Sequence, residues 1–105
     1  MQILPRGVAQ PEELEKQINA LAPFPPGVVN LRFTVEDDWS GGTSIFFWIT
    51  LSDEASERPI LHETAKSIRN YITEKLDPAG QWDLFPYFSF RSQSEQARLK
   101  GKKFG

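Results

Sequence analysis

The densest polar stretch in the chain, Arg91-Ser92-Gln93-Ser94-Glu95-Gln96, gathers guanidinium, hydroxyl, amide and carboxyl groups at consecutive positions. A serine nucleophile needs a positioned base and an oxyanion hole, and neither Ser92 nor Ser94 stands in a nucleophile elbow or beside a histidine. They read as a helix start, one of them capping and Glu95 answering it. Arg91 is different, because a guanidinium binds a carboxylate or phosphate through two parallel hydrogen bonds. It is the first residue to mutate. An enzymatic reading would assemble a small-ligand site from Arg91, Ser92, Glu95 and His62, and it ranks last because no nucleophile can be paired with a base.

His62 is the only histidine, and the chain has no cysteine. A transition-metal site wants two or more imidazole or thiolate ligands, so His62 reads as an exposed residue beside Lys66 and Arg69, and neither metal nor cofactor is expected. Carboxylates gather at Glu36, Asp37 and Asp38 and again at Asp53 and Glu54. Paired-acid hydrolysis needs two carboxyls within about 10 Å, whereas a strand of about eight residues at about 3.3 Å each holds these groups further apart. They read as solvated turns. Gly41-Gly42 has no following lysine and belongs to a turn, not to a phosphate-cradling loop.

The elements that must position these groups follow from a chain of 105 residues, 39% hydrophobic and 25% charged, which suits one small domain. We divide it into a domain over 1–92 and a basic tail over 93–105 that begins as a short helix and then becomes disordered. Cysteine is absent, the longest apolar run is Ile45 to Ile49, and Met1-Gln-Ile-Leu-Pro5 is no signal peptide. A cytoplasmic protein without membrane contact is expected. The net charge of -2 conceals an asymmetry. Nine acidic residues face four basic ones up to Ile60, while five basic residues from Arg91 onward face Glu95 alone.

Gln2-Ile3-Leu4 reads as a short edge strand ended by Pro5. Pro11 with Glu12 and Glu13 opens a helix carried by Leu14, Ile18 and Leu21, and the Pro-rich Ala22 to Gly27 stops it. From Val28 to Asp37 the residues alternate, placing Val29, Leu31, Phe33 and Val35 on one side. Asp37 to Gly42 has turn chemistry, so the next run returns antiparallel. In that run Ile45, Phe47, Ile49 and Leu51 join the apolar side, and Phe46 and Trp48 point the other way. Leu61, Ala65, Ile68, Ile72 and Leu76 mark a long helix ended by Asp77-Pro-Ala-Gly80, where glycine turns the chain. A last strand over Tyr87 to Arg91 sets Phe88 and Phe90 against Tyr87, Ser89 and Arg91.

The predicted fold class is α+β: a two-layer split β-α-β (ferredoxin-like) sandwich, with a three- or four-stranded antiparallel sheet and two helices on one face. Such a sheet leaves Arg32, Phe46, Trp48, Tyr87 and Arg91 on its open face. The topology resembles that of the RNA-recognition motif, whose aromatics stack bases while basic groups hold phosphates. That family's basic-Gly-aromatic-Gly-aromatic signature is replaced here by Gly41-Gly-Thr-Ser-Ile-Phe-Phe-Trp48. The order also looks like that of the cytoplasmic domain of cation-diffusion transporters, which place a histidine early in the second helix, yet a lone His62 carries no metal site across. The expected function is a noncatalytic interaction or regulatory module that associates through the aromatic and arginine face, as a homo-oligomer or with a protein partner. The alternative is single-stranded nucleic-acid binding by the same face and the basic tail, recognisable by salt-dependent affinity.

Overall fold

The hairpin forms where the alternation is strongest. In the computed structural model, which describes residues 4–101, two short helices, α1 (Arg6–Ala9) and α2 (Pro11–Asn19), precede strands β1 (Val28–Asp37) and β2 (Thr43–Leu51). The long helix α3 (Arg58–Leu76), the single-turn α4 (Pro78–Trp82), strand β3 (Phe85–Ser92) and helix α5 (Gln93–Gly101) complete the chain. Of the expected N-terminal strand, Gln2 and Ile3 lie outside the described residues, and Leu4 belongs to no strand.

The architecture is α+β with a three-stranded mixed sheet in the order β1-β2-β3. β1 and β2 pair antiparallel, as the turn chemistry predicts, while β2 and β3 pair parallel, from Ser44 opposite Phe85 to Leu51 opposite Ser92. The antiparallel expectation is therefore corrected. An antiparallel sheet of this element order needs a strand between the second hairpin strand and the last one, and here those two are direct neighbours. Helix lengths show why the sense is parallel. The 19 residues of α3 span about 28 Å at about 1.5 Å each, close to the length of β2, so the chain returns to the starting end of β2 before β3 begins.

The core forms on the Ile45 side of the sheet. Ile45, Phe47, Ile49 and Leu51 of β2 cluster with Leu14 and Ile18 of α2 and Ile68, Ile72 and Leu76 of α3, all but fully buried. Each large apolar side chain removed from water contributes about 1.5–3 kcal/mol. Phe47 stacks on Phe88, with centroids 5.2 Å apart. The alternation in β1 is broken at its start by a bulge between Val28 and Asn30. Val28 consequently packs on the core beside Leu31, Phe33 and Val35, and Val29, expected inward, is exposed.

Loops are fixed by specific groups. The Tyr71 hydroxyl of α3 donates to the Leu21 carbonyl at 2.6 Å and pins the proline-rich connector after α2. Gly27, at φ 102°, approaches Ala55 so closely that an added Cβ would lie 2.8 Å from the alanine methyl. After α3 the chain turns at Asp77 and Asp83, both in the left-handed region, rather than at Gly80, which lies inside α4. Asp77 accepts a hydrogen bond from the Gly80 amide at 3.1 Å, so one residue ends α3 and caps α4. Trp82, expected in a loop, is buried in α4 beneath the Arg6 guanidinium, 4.2 Å from the ring centroid.

Candidate binding site

The period of two sends alternate residues of each strand to the face opposite the core, and the pairing register arranges them in rows. Thr34, Phe46 and Tyr87 form one row, Arg32, Trp48 and Ser89 the next, and Asn30, Thr50 and Arg91 the third. All five residues predicted to share this face, Arg32, Phe46, Trp48, Tyr87 and Arg91, thus occupy three adjacent rows of it. Phe46, Trp48 and Tyr87 are half-buried, and both arginines are exposed.

The rings are arranged in a way that limits what they can do. Phe46 and Tyr87 lie 5.0 Å apart at an interplanar angle of 13°. Rings side by side in one plane cannot approach closer than roughly 6 Å, so this pair is face-stacked with an offset. Trp48 continues the run, 6.3 Å from Phe46 and at 21° to it, and its indole Nε1 donates to Thr34 Oγ1 at 3.4 Å. Beyond Tyr87, Phe85 and Trp39 tilt against it at 5.1 and 5.7 Å. Phe85 is 60% exposed and Trp39 83%, the largest exposure of any large apolar side chain described.

At the other end of the run Arg32 and Arg91 line one depression of about 660 Å³ with Asn30, Trp48, Ser89 and Gln96. Gln96 comes from α5, so the C-terminal helix walls this end and leaves the Trp39 end bare. Among the described residues, nothing else bounds the depression but the sheet.

Two carboxylates brace the site from opposite ends of β2. Asp38 accepts hydrogen bonds from the Ser40 amide and hydroxyl, the Gly42 amide and the Ser44 hydroxyl. The serine hydroxyls, Ser40 before Ser44, hold its pKa down to about 2. This fixes the turn that carries Trp39. Asp53 accepts from the Ser94 hydroxyl at 2.6 Å and the Ser94 amide at 3.0 Å, which lowers its pKa, the hydroxyl bond being the larger cause. Ser92 and Glu95 cap each other's backbone amides, Ser92 Oγ accepting from Glu95 N at 3.0 Å and Glu95 Oε1 from Ser92 N at 3.4 Å. Both serines of the polar stretch thus hold the start of α5 in place. His62 stands exposed on α3, and the described residues contain no group of three His, Asp or Glu side chains that could hold a metal. Of the basic tail, Lys102 and Lys103 lie outside the described residues.

Sequence reasoning missed Phe85, Trp39 and Gln96. Phe85 is in phase with Tyr87, two residues away, and became legible only once β3 was seen to begin at Phe85 rather than Tyr87. Trp39 sits in a turn, where no period operates. No helix among the described residues is long and apolar enough to cross a membrane. Compared with known protein families, curated proteins and solved structures, the chain matches none.

Proposed function

We propose that this chain is a noncatalytic protein-binding module that takes up an acidic, apolar-bearing segment of a partner protein on the aromatic face of its sheet. The observation that carries this reading is the continuous run Trp48-Phe46-Tyr87-Phe85/Trp39, ending in a depression that holds two exposed guanidiniums. Aromatic and arginine side chains of this kind are what interface cores concentrate. Arg91 receives a carboxylate of the partner, and the rings and Trp39 receive its apolar side chains.

Single-stranded nucleic acid fits the same face less well. Base stacking needs free ring faces, and the face of Phe46 towards Tyr87 is occupied by that ring. Among the described residues, the exposed rings of this face are Trp39 and Phe85, and both tilt against Tyr87.

Peptides selected from a displayed random library against the immobilised chain test the reading. The selected sequences should combine Asp or Glu with a large apolar residue, and both Trp48→Ala and Arg91→Ala should weaken their binding by about tenfold or more. Selection of nothing, or binding indifferent to both substitutions, defeats the proposal. Retention of a labelled oligothymidylate with steep salt dependence, lost in Arg91→Ala, would move the function to nucleic acid.

A further inference from the structure

We infer that the outer edge of β1 is a self-pairing edge, where a second copy of the chain docks antiparallel about a two-fold axis through Thr34 and joins two sheets into one of six strands. β1 is ten residues long, contains no proline and, among the described residues, is paired on one side only. The opposite edge is β3, which is interrupted by Pro86 and runs directly into α5. Proline removes a donor and blunts an edge. Beyond the bulge at its start, the edge from Leu31 to Asp37 is regular and open, a template for another strand.

The register follows from the backbone. The Asp38 amide donates to the Gly42 carbonyl at 2.8 Å, two rungs beyond the Glu36–Ser44 rung of the ladder. In an antiparallel pair alternate rungs are bonded, so residues 32, 34 and 36 direct their amides to β2 while 31, 33, 35 and 37 direct theirs outward. Two copies can bond only through these odd-numbered residues. Of the two-fold registers that satisfy this, the one centred on Thr34 sets Arg32 of each copy opposite the partner's Glu36, twice, and Phe33 opposite the partner's Val35. Centring on Phe33 sets Arg32 against threonine. Centring on Val35 sets Arg32 against Asp38, whose carboxylate is already committed to Ser40, Gly42 and Ser44. Charge complementarity selects the Thr34 axis.

Packing beside the edge agrees. Leu31, Phe33 and Val35 are only half-buried, and two hollows of about 700 and about 550 Å³ open between β1 and α2, both bounded by Phe33 and Glu15. A second β1 brings another Phe33 and Val35 to this incompletely covered margin. The two aromatic faces then lie on the same side of one sheet. Arg32 lines the binding depression as well as this seam, so binding is tested on Trp48 and Arg91 and the pairing on the rescue between Arg32 and Glu36, and either can fail without the other.

Light scattering of the full chain across a concentration series reads the outcome. Wild type should be a dimer. Arg32→Glu and Glu36→Arg should each weaken it by about tenfold or more, the double variant Arg32→Glu/Glu36→Arg should restore it, and Trp48→Ala should leave it unchanged. Because the chain has no cysteine, Thr34→Cys supplies a second readout. On the axis it forms a non-hydrogen-bonded pair with its own copy, within reach of a disulfide, and should oxidise to a covalent dimer while Thr50→Cys stays monomeric on a denaturing gel. A monomeric wild type, a dimer indifferent to the single charge swaps, a double variant without recovery, or a Thr34→Cys chain that does not cross-link overturns the inference.

Discussion

Asp38 gathers four hydrogen bonds on one carboxylate, from Ser40 twice, Gly42 and Ser44, and its acidity reports what those bonds contribute. The hydroxyls of Ser40 and Ser44 favour the charged form and lower its pKa from 3.8 to about 2. A carboxyl more acidic in the folded than in the unfolded chain stabilises the fold fully above its unfolded value, and that contribution disappears as pH falls through the folded value. The window here runs from 3.8 down to about 2. Asp38→Asn keeps the shape and removes the charge. It should lower the melting temperature at neutral pH, and the gap to wild type should close between those two values in a pH series followed by circular dichroism. A gap that stays constant down to pH 2 would show that the turn draws nothing from the charge. The glycines, the aspartates and the serine made this turn legible in the sequence. The convergence of both Ser40 and Ser44 on one acid was not legible, since Ser44 reaches Asp38 only after β2 has paired back on β1.

Elements were legible where their signal is local. The alternation of β1 from Leu31 onward and of β2, the helical spacing of Leu61 to Leu76 and the opposite parity of Phe46 and Trp48 against Phe47 all survive in the structure. What failed depended on distant partners. The parallel sense of β3 follows from a direct β2-β3 contact that no periodicity encodes, and the outward Val29 follows from a bulge set by pairing with β2. α5 combines both kinds of signal. Its capping pair, Ser92 and Glu95, is written at the spacing of a capping box. Its tether, Ser94 to Asp53, spans 41 positions. Loss of an N-cap costs a helix about 1 kcal/mol, and α5 has few apolar side chains to compensate, so Ser92→Ala should speed amide exchange within α5 several-fold. Asp53→Ala should do the same by freeing Ser94, with β1 and β2 amides unmoved in both. Equal exchange in wild type and both variants would mean that other contacts hold this helix. Because Gln96 walls the arginine depression, both variants should also weaken ligand binding without touching an aromatic ring.

The whole molecule is a sheet with one face packed into the core and one face half-buried or exposed, and adjacent residues of β2 separate the two. Phe47 is fully buried and stacks on Phe88. Trp48, the next residue, stands half-buried on the opposite face beside Phe46. Truncating a buried phenylalanine costs about 3–5 kcal/mol, against a total of about 5–15 kcal/mol for a domain of this size. Phe47→Ala should therefore bring the urea midpoint down by a fifth or more and lose binding at that lowered midpoint, because the rows of the open face depend on an intact sheet. Trp48 leaves no sealed cavity when truncated, since its outer side already meets solvent. Its loss should cost less than about 2 kcal/mol, so that Trp48→Ala unfolds near the wild-type midpoint and still fails to hold a ligand. Urea unfolding of the two variants, set beside their binding, separates the roles of the faces. If Trp48→Ala proved as unstable as Phe47→Ala, the aromatic run would be a second core, and the surface on which recognition is placed would not exist.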